Sequence, residues 1–229
     1  MTPVTFKTQV TAEYYPDGAG RHLANFPWRG SGLDETPDRA VPGGEDLDTA
    51  IEHARAALAA LLRAAASGEG SLLIAEARAL LATLLEHRID IAAGRLDQDD
   101  AAAVSAVRAD RGEAIAVTGA LLYWLPSGYP AWPEVALTLG RLSYDRYRDP
   151  WPQAAPPDPD DLDAACDLLL RAARHQDADE RTTLYLVLAL RDRQRLLPCP
   201  SDTRALTIWG ERLMSLGVDP QFRPYSAAS

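Results

Sequence analysis

The chain is expected to be all-α, and three observations point there. Alanine and leucine together supply 72 of 229 residues, concentrated between positions 46 and 216, and both are strong helix formers. Apolar residues in that stretch recur at helical spacing, as in Leu47, Ile51, Ala54, Leu58, Leu61 and Leu62. No long alternating apolar–polar run calls for a sheet; only Val4–Val10 reads as a short strand. The chain divides into an irregular N-terminal arm over residues 1–45, a helical-repeat domain over 46–216 and a C-terminal tail over 217–229.

Proline, glycine and capping residues divide the domain into helices. Helices are predicted over 45–66 and, after Ser-Gly-Glu-Gly, over 71–93. Residues 95–110, RLDQDDAAAVSAVRAD, read as either a short helix or a long loop. A helix over 112–125 stops at Pro126, and Trp132-Pro133 opens another over 134–148. The Pro-rich 152–158 breaks the pattern, since proline removes a donor and clashes with the preceding turn. Helices over 160–175, 178–197 and 201–216 complete the domain. The apolar Thr182–Leu190 is followed at once by RDRQR and is too short to span a bilayer, so it reads as a buried helix.

A repeat runs through these helices. Asp46, Asp110, Asp161 and Asp202 each precede a small or apolar pair by four residues, and Asp suits a helix start, where it accepts orphan N–H groups. Small or apolar residues recur in register at Ala50/Ala54/Ala57, Ala114/Thr118/Leu121 and Ala165/Leu169/Ala172, spaced for close helix approach. In the preceding helices, LLEHR, SYDRY and ALRDR put Arg88, Arg146 and Arg193 at matching positions, where a cation complements a helix C-terminus. The interval between the aspartates falls from 64 to 51 to 41 residues, so the loops vary while the helices persist.

Leu139-Gly140-Arg141-Leu142 with Arg146-Tyr147, then DLDAACDLLLRAA from Asp161, resembles one repeat of the tetratricopeptide-like arrays of actinobacterial proteins associated with CHAT domains. Asp46–Leu58 is similar to the second helix of such a repeat. The resemblance implies a right-handed α-solenoid of helical hairpins, whose first helices line a concave peptide-binding groove.

Composition excludes several activities. The net charge is −10, against a non-specific nucleic-acid or anionic-membrane binder. Lys7 is the single lysine, so neither a P-loop lysine nor a Schiff-base lysine exists in the body of the chain. Asp99-Asp100 and Asp160-Asp161 suggest a magnesium–diphosphate motif, but Ala103 and Ala164 occupy its last position. The four histidines form no metal motif, although His53 and His87 could meet across adjacent helices. Cys166 reads as a small core residue, and nothing in sequence near Cys199 predicts a lowered pKa. Two cysteines without a disulfide pattern and no secretory signal point to the cytoplasm.

These features predict a non-enzymatic interaction module without metal or cofactor, holding a protein or acidic peptide. The alternative is a helical enzyme or small-molecule-binding regulator with a closed pocket. Tyr123, Trp124, Tyr129, Trp132, Tyr144, Tyr147 and Trp151 place seven of sixteen aromatics in 29 residues, a composition that suits either recognition or packing. On the helix 134–148, Val135, Leu139 and Leu142 are assigned to the core, while Leu137, Arg141, Tyr144 and Arg148 form a second stripe assigned to the groove. Leu184, Arg191 and Arg195 are its counterpart on 178–197. The expected partner-binding residues are therefore Arg141, Tyr144, Arg148, Trp132, Trp151, Arg191 and Arg195, and truncating Arg141 or Tyr144 is expected to cost binding but little stability.

Overall fold

The structure is a computed structural model and describes residues 44–65, 71–93, 100–149, 156–174 and 179–218. Residues 1–43 of the N-terminal arm (where a strand is expected over Val4–Val10), Trp151, and most of the C-terminal tail lie outside the described residues. Seven α-helices and no strand occur among those described: α1 Gly44–Ala65, α2 Ser71–Ala93, α3 Ala101–Trp124, α4 Trp132–Tyr147, α5 Pro159–Arg174, α6 Glu180–Leu196 and α7 Pro200–Ser215.

From Ala101 onward the ambiguous stretch before Gly112 is helix, continuous through α3, while residues 95–99 lie outside the described residues. Asp100 caps it, its Oδ1 accepting from the amides of Ala102 (3.1 Å) and Ala103 (3.0 Å). Val104 and Val107 are buried one turn apart, so this segment also carries the core stripe. Asp110 therefore sits mid-helix, and its expected role as a helix start is corrected by the structure. Pro126 ends α3 as expected, Pro133 lies in the first turn of α4, and Asp179 caps α6 by accepting from the Thr182 amide at 2.8 Å.

Each helix packs chiefly against its neighbours in chain order, and α4 also touches α6. The Arg-bearing helices α2, α4 and α6 each contact the Asp-bearing helix that follows, α3, α5 and α7, as the expected helical hairpins require. The core follows this order as three adjoining clusters rather than one centre. The first joins α1, α2 and α3 around Ile51, Leu81, Leu85 and Ala114. The second joins α2, α3 and α4 around Ala82, Leu121 and Val135, and the third joins α4 to α7 around Leu162, Leu169, Leu186 and Leu190. Residues Thr182 to Leu190 of α6 are buried without interruption, because helices cover it on several sides. Among the described residues no helix is long and apolar enough to cross a membrane.

The repeated Asp and Arg positions meet. Arg88 Nε donates to Asp110 Oδ2 at 2.7 Å, Arg146 Nε to Asp161 Oδ2 at 2.6 Å and Arg193 Nε to Asp202 Oδ2 at 2.8 Å. In each pair a terminal guanidinium nitrogen also reaches the second oxygen, giving a two-pronged bridge. These arginines are thus ion-pair partners of the aspartates. The expected helix-terminus placement also holds for Asp161, Asp202, Arg146 and Arg193, which lie in first or last turns, whereas Arg88 and Asp110 lie further inside α2 and α3. A second contact repeats as well. Arg88 reaches back to Asp48 on α1 (2.8 Å), and Arg193 reaches back to Asp163 on α5 (3.5 Å). Asp48 and Asp163 are the second aspartates of matching Asp-Leu-Asp triplets. At the middle junction the equivalent residue is Gly112, and Arg146 is the most exposed of the three arginines.

Of the small-residue positions, Ala114, Thr118, Leu121, Ala165, Leu169 and Ala172 are buried. Ala54 is buried too, whereas Ala57 on α1 is exposed.

Candidate functional site

Counting from the paired arginines, three positions recur: Glu86, His87 and Asp90 on α2, Tyr144 and Asp145 on α4 with its C-cap Arg148, and Arg191, Asp192 and Arg195 on α6. They lie toward the C-terminal ends of α2, α4 and α6, and they interact from one of these helices to the next.

Asp192 is the centre of the best-defined part. Its side chain is 5% exposed, and its oxygens accept from Tyr144 Oη at 2.8 Å and pair with Arg148 at 3.5 Å and Arg195 at 3.3 Å. Burial and the adjacent carboxylate push the Tyr144 phenol far above its ordinary range, so it remains a donor. The Tyr144 ring packs edge-on to Tyr185 at 6.1 Å and stacks on Tyr147 at 6.5 Å. Arg148 and Arg195 are 49% and 67% exposed, so one face of each remains open to solvent while Asp192 steers the other.

Arg141 belongs to a different pair. It is 5% exposed and bonds Glu86 of α2, itself 7% exposed. Arg141 and Tyr144 are thus enclosed and engaged with acids of their own chain. The expectation that truncating them leaves stability intact is corrected, since each truncation strands a buried partner. Leu137 is only partly buried, and Leu184 belongs to the core.

Asp145 is half-buried between these two pairs. Desolvation drives its pKa up to about 6, opposed by Arg141 on its own helix, Arg111 on α3 and Arg181 on α6, and assisted by Asp90 on α2. Asp90 is exposed at its edge yet shifts in the same direction, again through desolvation first, against Arg181, His87 and Arg111.

The sign of the resulting pH dependence follows directly. The folded-state pKa of Asp145 lies above its ordinary value of 3.8, so the folded state binds this proton more tightly than the unfolded chain. Ionised Asp145 therefore destabilises the fold above pH 6, and the penalty fades between pH 6 and 4. Asp145→Asn is expected to raise stability at pH 7.5 by about 1–2 kcal/mol, reduced from the full linkage value because the group is partly solvated. It should change little at pH 4, and urea unfolding of both proteins at the two pH values checks this.

The remaining expected site residues are dispersed. Trp132, 4% exposed, sits at the opposite end of α4 under the guanidinium of Arg171, 4.7 Å from its ring centroid. Arg191 lies beside Asp192 and acts electrostatically on Tyr144. Trp132 and Tyr144 show that part of the aromatic cluster is packing, whereas Tyr123 is 95% exposed.

Glu86, Asp145 and Asp192 are absent from the sequence-derived site. The signal was the shared register with Arg88, Arg146 and Arg193, extended by one or two residues. Among the described residues no group of three or more His, Cys, Asp or Glu side chains gathers as metal ligands would, and His53 is exposed while His87 is half-buried. Cys166 is fully buried, and burial pushes its thiol up to about 12. Cys199, by contrast, is shifted downward by the Ser201 hydroxyl and the amides of Ser201 and Asp202 at the start of α7, correcting the expectation of an unperturbed thiol.

Comparison with protein-family models, with curated proteins and with solved structures gives no match to this chain.

Proposed function

We propose that the protein is a non-enzymatic interaction module: a right-handed, tetratricopeptide-like array that holds an acidic protein segment along the face formed by α2, α4 and α6. The observation that carries this reading is the Asp192 centre, where a buried carboxylate steers two arginines that stay substantially exposed. Arginine so oriented suits bidentate pairing with carboxylates and loses less side-chain freedom on binding than a free one. The chain-order packing of the helices and the recurring Arg–Asp bridges support a repeat array. The α6 end of this face carries Arg191 and Arg195, and the α2 end carries Glu86 and Asp90, so an acidic ligand would engage the α4–α6 part. A cytoplasmic location and a partner that is neither nucleic acid nor membrane belong to the same proposal.

The test uses fluorescein-labelled hexaglutamate, with hexalysine as control, in anisotropy titrations against the full chain. Hexaglutamate binding that exceeds hexalysine binding is expected, although the net charge of −10 opposes it. Arg148→Ala with Arg195→Ala should weaken binding by about 1–3 kcal/mol, the range of interface anchors. Asp192 keeps the Tyr144 hydroxyl as a donor in the double variant, and circular dichroism should show the helices preserved. Preference for hexalysine, or undiminished binding by the double variant, overturns the reading.

A further inference from the structure

A pocket lies at the other end of α4, separated from Tyr144 by about 18 Å of helix. It is a pocket of about 380 Å³ built from the last turns of α3, the connection to α4, and α5. Leu122, Leu125 and Trp132 provide apolar and aromatic lining, Gly119 and Ser127 line it further, and Tyr123 and Arg171 complete it. A Cβ added at Gly119 would meet only Leu139 Cδ2, at 3.9 Å, so close packing does not account for the bare backbone there.

Two features indicate a ligand of defined chemistry. Tyr123 is 95% exposed, the most exposed large hydrophobic residue among the described residues, and it stands on the pocket wall. Arg171 is held over the Trp132 ring, and no acid lies within ion-pair distance of it among the described residues. Asp167, one turn back on α5, pairs instead with Arg193. Stacking fixes the guanidinium plane and leaves its N–H edge to donate. An oriented cation beside an apolar, aromatic cavity suits an anion carried on a flat apolar group. It also disfavours an organic cation, which Arg171 would repel.

We propose that this pocket binds an aromatic carboxylate, with the carboxylate on Arg171 and the ring between Tyr123 and the apolar lining. The site is independent of the acidic-segment face: it shares no residue with the Asp192 centre. The same chemistry is available from a free acid or from the C-terminus of a peptide ending in an aromatic residue.

The experiment follows backbone amide shifts of the full-length, nitrogen-15-labelled protein. The probes are phenylacetate, benzyl alcohol, benzylamine and a short peptide ending in phenylalanine, as free acid and as amide. Saturable shifts at Gly119, Tyr123 and Ser127 are expected with phenylacetate or the free-acid peptide, and weaker ones with benzyl alcohol. The tighter of the two acids identifies the source. Arg171→Met, which keeps the stem over Trp132, should weaken acid binding at least tenfold and abolish the preference over benzyl alcohol. Tyr123→Ala should weaken acid and alcohol alike, with the fold unaffected because the side chain is exposed. Absence of shifts with both acids, equal or tighter binding of benzylamine, or unchanged acid binding in Arg171→Met overturns the proposal.

Discussion

Arg141→Met is expected to destabilise the protein by about 3–5 kcal/mol, the cost of leaving one member of a buried ion pair without its partner. Glu86 is 7% exposed and cannot turn to water without disrupting the α2–α4 contact. Methionine retains the aliphatic stem, so most of the loss is electrostatic. Replacing both residues, Glu86→Leu with Arg141→Met, should recover most of the stability, because two apolar groups of similar size need no pairing. Urea denaturation followed by circular dichroism at pH 7.5 measures the singles and the double. Arg141→Met should also move the Asp145 titration upward from about 6, since Arg141 is the largest of the charges opposing that shift. If Arg141→Met is as stable as the parent, this pair is not the link between α2 and α4.

Gly140→Ala is expected to cost about 1–3 kcal/mol, an overpacking penalty, although alanine is the better helix former. A Cβ at Gly140 would stand 2.8 Å from Leu169 Cγ and 3.3 Å from Leu168 Cβ, and neither is the free end of a side chain. Leu169 is fully buried and cannot retreat, so α4 and α5 would have to separate. Gly112→Ala makes the internal control. It lies mid-helix in α3 with no atom within 4 Å of the added Cβ, so it should stabilise by about 0.5–1 kcal/mol. Thermal unfolding of the two variants side by side distinguishes helix propensity from interhelical crowding. A stabilised Gly140→Ala would mean that α4 and α5 pack more loosely than described here.

The Leu-Gly pair at 139–140 illustrates how much was legible. Its resemblance to a repeat signature suggested a helical hairpin, and the contact of Gly140 with Leu169 gives that glycine its physical purpose. Arg88, Arg146 and Arg193 were likewise visible as a repeat, as were the aspartates. Their pairing was not, because a helix terminus and an ion pair place the same demand on residue type. The length of α3 stayed open between a short helix and a long loop, although Asp100, Val104 and Val107 carried both the cap and the core spacing, since three neighbouring acids obscured where the helix begins.

Helical periodicity, proline and glycine placement, and the Asp-Leu-Asp and Arg registers are local properties. They are sufficient for the all-α class, for most helix boundaries and for the burial of Cys166 and α6. Which side of α4 meets solvent is not local. Arg141 and Tyr144 sit on a polar stripe, and in a lone helix that stripe would face water. Here α2 brings Glu86 to the one and α6 brings Asp192 to the other, and each acid satisfies a polar group as it buries it. A charged residue becomes interior only when a partner arrives from a distant segment, and that meeting exists only once the helices have packed.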